Sequence, residues 1–338
     1  MLSVISSRTV LLTAVVALAV LLPAAPADAW SGAGFVKRGA FVKFLVTATA
    51  ATAATLPAAT IAAAILTLPP AATTLPAATP PANANSCGNT ILPESTVPGA
   101  YYVKCFDQKI RQITLQDGQT LDITQGSTNA GMGGRTGIAL WNSSILLTRL
   151  LTSLCAEGRA LVSSSAKNED VNVIELGCGV GLPSLAVAKY VKGVAATDGN
   201  EEVLQLTRQN ARDNGKGNVA VGGLRWGEML DDSYDNKFDL AIGSDLTYNS
   251  AAWPLLTETL VSVLRPNGRF IYLITGHAGF NLESELNGFL TFLEGAGGLR
   301  VNAVLGRELT ERMRALVGAE EGMVLRDGGV KVVVIDRK

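Results

Sequence analysis

Apolar and polar residues alternate from Lys109 to Leu115 and again from Thr120 to Thr124, with Asp117-Gly118 between them. This pattern predicts a β-hairpin. From Ile145 onward, after Trp141, the apolar residues fall at helical spacing. Val171-Asn172-Val173-Ile174-Glu175-Leu176 is an apolar, β-branched run and predicts a buried strand. It closes on Gly177, Gly179 and Gly181, and Leu182-Pro183-Ser184-Leu185 starts a helix. The alternation then repeats. A strand from Gly193 to Thr197 ends at Asp198, and a helix follows with Asn200 as its cap, Glu201 and Glu202 in its first turn and Gly215 at its exit. A short strand covers Asn218 to Val221, and Phe238 to Ser244 forms another. Ser250 caps a helix running to Leu264 with Pro254 in its first turn. Pro266-Asn267-Gly268 turns into a strand from Arg269 to Thr275. Phe280, Leu282, Leu286, Phe289, Leu290 and Leu293 mark a helix face, and Val330 to Ile335 predicts a last strand of the same sheet. Strands alternating with helices make a mostly parallel α/β sheet, whose ligands sit at the carboxyl ends of the strands. Gly177, Asp198, Trp226, Ser244 and Asp245 should therefore converge on one cleft.

The first hundred residues read differently. Arg8 precedes the apolar run Val10 to Leu22, and Ala27-Asp28-Ala29 is a small-x-small cleavage signature, so 1–29 reads as a signal peptide. Trp30 follows the cut, then the basic, acid-free segment with Lys37, Arg38 and Lys43; this resembles the bipartite plastid presequence of diatoms and related algae. Residues 44–93 carry no charge and are dominated by Ala, Thr, Leu and Pro. Residues 44–68 are long enough for the roughly 20 residues that a membrane helix needs, though Pro57 interrupts them. The segment 30–100 is read as a targeting or linker stretch, with a retained membrane anchor as the alternative. An organelle or secretory destination is expected, the plastid ahead of the others, with the cytoplasm as the alternative.

Charge sharpens the remainder. Residues 101–338 hold 24 basic and 27 acidic residues, which excludes a basic field for nucleic-acid phosphates. Four cysteines (Cys87, Cys105, Cys155, Cys178) without metal spacing, and a single histidine, His277, predict no metal site. His277 follows a strand at the sheet's carboxyl edge, where it could line an acceptor pocket or stay as polar surface.

The glycine turn discriminates between cofactors. A dinucleotide site wants G-x-G-x-x-G, and counting from Gly177 places the last glycine at position 182, where Leu182 stands. The pattern is instead acid-x-G-x-G-x-G, led by Glu175. A carboxylate there suits the sulfonium and ammonium of S-adenosylmethionine and opposes a pyrophosphate. Asp198, 21 residues after Gly177, can accept hydrogen bonds from both ribose hydroxyls.

From about Lys109 to Arg337 the chain resembles the seven-β-strand protein lysine methyltransferases of the methyltransferase-16 group. The matching stretches are Thr136-Gly137-Ile138-Ala139-Leu140-Trp141, Glu175 to Pro183, Thr197-Asp198, Leu224-Arg225-Trp226-Gly227-Glu228 and Ser244-Asp245-Leu246-Thr247-Tyr248. The resemblance implies a class I methyltransferase fold: a Rossmann-like, mostly parallel sheet with an N-terminal β-hairpin extension, in a domain spanning 101–338. It implies that Trp141 lies beside the methionine end of S-adenosylmethionine, that Gly177 and Gly179 pass under it, that Asp198 holds the ribose, that Trp226 lies along the adenine and that Ser244 lines the site. Glu175 joins this set as the acid of the turn. Cys178 joins it from the motif's variable position, as a small packing residue. Asp245 and Tyr248 are implied to face the accepting amine and form the catalytic pair. The expected partner is a protein with an exposed lysine, with no nucleic acid, with membrane contact only through an unprocessed N-terminal segment, and with the chain as a monomer. A small-molecule N-methyltransferase and an inactive cofactor-binding scaffold stand as alternatives.

Overall fold

The computed structural model describes residues 109–126, 136–163, 165–228, 232–276, 281–306, 309, 312, 313, 316 and 329–338. The readings of 1–29 and 30–100, Cys87 and Cys105, most of the Gly131–Gly137 loop, His277 and Phe280 lie outside them.

The hairpin forms as expected from strands β1 (Ile110–Thr114) and β2 (Thr120–Thr124), paired antiparallel. Helix α1 (Asn142–Ala156) precedes strand β3 (Asn172–Leu176), helix α2 (Leu182–Val187), strand β4 (Gly193–Asp198) and helix α3 (Glu201–Asp213). Strands β5 (Val219–Gly223) and β6 (Phe238–Ser244) lead to helix α4 (Trp253–Val263), strand β7 (Leu264–Thr275), helix α5 (Leu282–Ala296), strand β8 (Leu299–Leu305) and strand β9 (Val330–Arg337).

Seven strands form one sheet in the order β5-β4-β3-β6-β7-β9-β8. Strands β3 to β7 run parallel, and β9 inserts antiparallel between β7 and β8. This is the mostly parallel sheet that the patterning predicts, with β9 in it. Strand order reverses between β3 and β6, which opens a crevice at their carboxyl ends.

Successive side chains of the central strands feed two separate cores, as the two-residue period requires. Val173, Leu240, Ile242, Ile271 and Leu273 pack with α1 and α2, whereas Ile174, Ala241, Phe270, Tyr272 and Ile274 pack with α4 and α5.

Three details depart from expectation. Asn249, not Ser250, caps the chain entering α4: its side chain accepts from Ala251 N, and a 3-10 turn of Ser250–Ala252 comes first. Strand β7 starts at Leu264 rather than Arg269. Phe238 pairs with Leu264 and Leu240 with Arg269, so Pro266-Asn267-Gly268 bulges out of a continuing strand, with Asn267 at φ 63°. Strand β8 is an edge strand of mixed burial whose pattern carries no clear alternation.

The hairpin stands outside the large sheet and docks on α3 through two asparagine side chains one turn apart. Asn210 Oδ1 accepts from Thr124 N at 2.8 Å and its Nδ2 donates to Thr124 O at 3.0 Å. Asn214 repeats both bonds with Asp122, at 2.9 Å each. Two amide side chains thus imitate a neighbouring strand for alternate residues of β2. Asn210, fully buried, also donates to Val180 O in the glycine turn at 2.9 Å. Each buried group left unpaired costs about 1–3 kcal/mol, so Asn210→Ala is expected to lower the thermal midpoint by roughly 5–15 °C. Calorimetry checks this, and a midpoint within about 2 °C of the wild type contradicts it.

Candidate functional site

The carboxyl ends of β3, β4 and β6 meet the segments after β5 and before α1 around one cleft of about 650 Å³. Of the residues named from the sequence, ten line it: Trp141, Glu175, Gly177, Cys178, Gly179, Asp198, Trp226, Ser244, Asp245 and Tyr248; His277 lies outside the described residues. Its charged lining residues, among those described, are Glu175, Asp198, Asp245 and Arg225. The excess of carboxylates favours a cationic ligand and opposes a pyrophosphate.

The glycine turn is tight because its backbone leaves the usual region. Gly177 and Gly179 have φ of 61° and 53°, where a side chain is strained. A Cβ on Gly177 would come 2.8 Å from Leu246 Cδ2, and one on Gly179 would come 3.2 Å from the Gly137 carbonyl. The missing side chains leave a cradle floored by backbone.

Side chains hold three carbonyls in and just before the turn. Thr197 Oγ1 donates to Glu175 O at 2.6 Å, Thr207 Oγ1 to Gly179 O at 2.5 Å, and Asn210 Nδ2 to Val180 O. Thr207 and Asn210 escaped the sequence reading. The signal available was two polar residues on the face of α3 that also carries the buried Val203, Leu204 and Ala211; buried polar groups sit there only when bonded.

Asp198 stands at the end of β4. Its Oδ2 accepts from Gly179 N at 3.2 Å and its Oδ1 from Asn200 N at 3.0 Å, so the turn itself aims the carboxylate. Burial pushes its pKa up. Glu175 is 2% exposed, and its Oε2 accepts from both Ser184 N, at 3.0 Å, and Ser184 Oγ, capping the first turn of α2. These bonds go to the helix, while its position is the cleft wall. Burial raises its pKa to about 8, against hydrogen bonds from Ser184 that lower it. Cys178 is buried, with Sγ 3.9 Å from Thr207 Oγ1.

The Glu175 shift has a stability consequence. A carboxyl whose folded pKa is raised stabilises the fold fully below its unfolded value of 4.5, and that contribution is lost as pH rises through about 8. Asp198 adds a slope of the same sign. The thermal midpoint of the ligand-free chain is expected to fall across this range, and Glu175→Gln is expected to flatten the fall. Unfolding followed as a pH series checks it; an equal slope in both proteins contradicts it.

Trp141, the residue before α1, donates Nε1 to Thr136 O at 2.8 Å, and Trp226 lies half-buried beside Gly177. Leu140 ties this wall to the hairpin: Gln125 Oε1 accepts from its N–H at 2.9 Å, and Arg111 Nη1 donates to its carbonyl at 3.3 Å. Asp245 has φ 50°, unusual for a side-chain residue. Its Oδ1 and Oδ2 accept from Thr275 N and Thr275 Oγ1, both at 2.7 Å. Tyr248, 51% exposed, stands at the mouth.

A family model described as lysine methyltransferase matches residues 115–285, about half of the chain. Among similar proteins are protein-lysine N-methyltransferase EFM3 of Chaetomium thermophilum, 32% identical over 38% of this chain and 38% of that one, and protein N-terminal and lysine N-methyltransferase EFM7 of Candida glabrata, 33% identical over 47% and 62%. EEF1A lysine methyltransferase 3 of Mus musculus is 30% identical over 46% of this chain and 61% of that one. The chain thus spans between 38% and 62% of the length of these relatives.

Proposed function

The chain belongs to the lysine methyltransferase family, and from that premise we propose that it transfers a methyl group from S-adenosylmethionine to the ε-amine of a protein lysine. The observation that carries the reading is the acidic cleft, which the glycine cradle, Asp198, Asp245 and the exposed Tyr248 line together. The named relatives are protein methyltransferases, which favours a protein acceptor over a small molecule.

The residues fit the cofactor by the chemistry of their groups. Asp198 offers carboxylate oxygens to ribose hydroxyls, Trp226 a flat apolar face to adenine, and Trp141 a wall for the methionine end. Gly177, Cys178 and Gly179 leave room beneath it, and Ser244 closes the side from β6. Glu175, which burial keeps largely protonated below about 8, walls the turn, and the Asp198 carboxylate favours the positive charge of the cofactor. S-adenosylmethionine supplies the electrophilic methyl carbon. A lysine amine, of pKa near 10.4, must first lose its proton. Asp245 and Tyr248 orient the amine so that its lone pair faces that methyl carbon, and water removes the proton. Alignment to about 3 Å is the main contribution of the protein.

The test is binding followed by transfer with the full chain. S-adenosylmethionine is expected to bind by calorimetry and NAD is not. Labelled methyl is then expected in a protein band of a cell extract. Label recovered only in small molecules overturns the acceptor assignment, and NAD binding in place of S-adenosylmethionine overturns the cofactor.

For location we propose entry to an organelle or the secretory route, with the plastid favoured. Arg8, the run Val10 to Leu22, Ala27-Asp28-Ala29 and Trp30 support it. A fluorescent fusion of residues 1–100 is expected outside the cytosol, and a purely cytosolic signal overturns the proposal.

A further inference from the structure

The segment between Asp245 and Tyr248 is held by residues that lie outside the cleft. Thr247 is 1% exposed, and each of its polar groups has a partner. Its N–H donates to Tyr272 Oη at 3.2 Å, and its carbonyl accepts from Trp253 Nε1 at 2.9 Å. Its Oγ1 lies 2.7 Å from Tyr272 Oη and donates to Glu285 Oε1 at 2.6 Å. Tyr272, on β7, is fully buried, and its hydroxyl also accepts from Leu246 N at 3.1 Å.

Counting donors and acceptors gives the network a direction. A phenol oxygen has two lone pairs and one proton. The N–H groups of Leu246 and Thr247 take the lone pairs, so the Tyr272 proton points to Thr247 Oγ1. The Thr247 hydroxyl proton is then committed to Glu285, as its geometry has it. Every donor faces an acceptor, and the chain of bonds runs one way from the buried phenol to a carboxylate in the first turn of α5. That turn favours the negative charge. The same segment carries Asp245 at its unusual φ of 50° and seats Leu246 beside Gly177.

We propose that Thr247 and Tyr272, with Glu285 and Trp253 behind them, are positioning residues that hold Asp245 and Tyr248 in register for the methyl acceptor. The proposal rests on the reading that Asp245 and Tyr248 face the amine. Its chemistry is mechanical: no bond to substrate is made by Thr247 or Tyr272. They remove the alternative conformations of a two-residue span that joins the catalytic pair.

The test compares Thr247→Val, which keeps the shape and loses the hydroxyl, with Thr247→Ser, which keeps the hydroxyl, and with Tyr272→Phe, all in the full chain. Misplacement of a reacting group by about 1 Å can cost a hundredfold, so Thr247→Val and Tyr272→Phe are expected to lower kcat for the protein acceptor about tenfold or more. Thr247→Ser is expected to stay within about threefold of the wild type, and the Kd for S-adenosylmethionine within about threefold in all three. Normal kcat in Thr247→Val, beside a lowered thermal midpoint, overturns the proposal and leaves the network structural. Equal loss of cofactor binding and of kcat overturns it too. If the wild type methylates no protein, the functional reading fails separately. Amide exchange then decides: faster exchange at Leu246 and Thr247 in Tyr272→Phe is expected, and unchanged exchange overturns the network.

Discussion

Asp198→Ala is expected to weaken S-adenosylmethionine binding by about 10²–10⁴-fold, since two hydrogen bonds to a charged acceptor are each worth roughly 1.5–3 kcal/mol. The carboxylate is aimed by Gly179 N and Asn200 N, so it needs no rearrangement to receive a ligand. Burial raises its pKa, and hydroxyl donors from a ribose favour the ionised form in turn. The fold has other supports here, because Thr207 and Asn210 still hold the carbonyls of the glycine turn. Loss of binding should therefore exceed loss of stability. Asp198→Asn keeps one acceptor oxygen and should fall between. Calorimetric titration of the full chain measures it, and a loss under about tenfold would place the ribose elsewhere.

Asp245→Asn should leave cofactor affinity unchanged and lower methyl transfer by about ten- to a hundredfold, because it removes one charge-assisted bond of roughly 1.5–3 kcal/mol to the acceptor amine. Asparagine tolerates the left-handed φ of 50° that this position requires. Its amide oxygen can also keep the bond from Thr275 N that Asp245 Oδ1 accepts at 2.7 Å. The variant thus changes charge with little change of shape. Tyr248→Phe, at the exposed mouth, should cost less, on the order of a few-fold, for the loss of a neutral hydrogen bond. Single-turnover transfer at saturating cofactor separates these effects from binding. Full activity in both variants would remove the pair from the reaction.

The strand ends were legible because the local chemistry there is extreme. β3 is a β-branched run broken by glycines, and β4 and β6 each stop at an acid or a polar residue with a loop beyond. Those features reach the cleft directly, which is why ten of the named residues line it. What sequence alone did not expose depends on contact between distant residues. Thr247 meets Tyr272 and Glu285 across 25 and 38 residues, and no local spacing announces such a bond. Asn210 carries no local mark of its role, because a helix face gives no clue that its amide will imitate a strand for β2. Glu175 was legible as an acid near the turn, yet its bonds to Ser184 belong to the start of α2 and arise only once the helix is folded back on β3. β8 was not read from the sequence although Leu299, Val301 and Ala303 alternate with Arg300 and Asn302: the run is short, and the register shift between Val301 and Ala303 leaves the burial of this edge strand without the same alternation.

Methyl transfer to a protein lysine is read out by mass spectrometry of an extract incubated with the full chain and isotope-labelled S-adenosylmethionine. Labelled methyl is expected on a lysine ε-amine of a discrete protein, strongly reduced when Asp245→Asn replaces the wild type. Label that appears only on small molecules, or on protein equally with the wild type and Asp245→Asn, would contradict it.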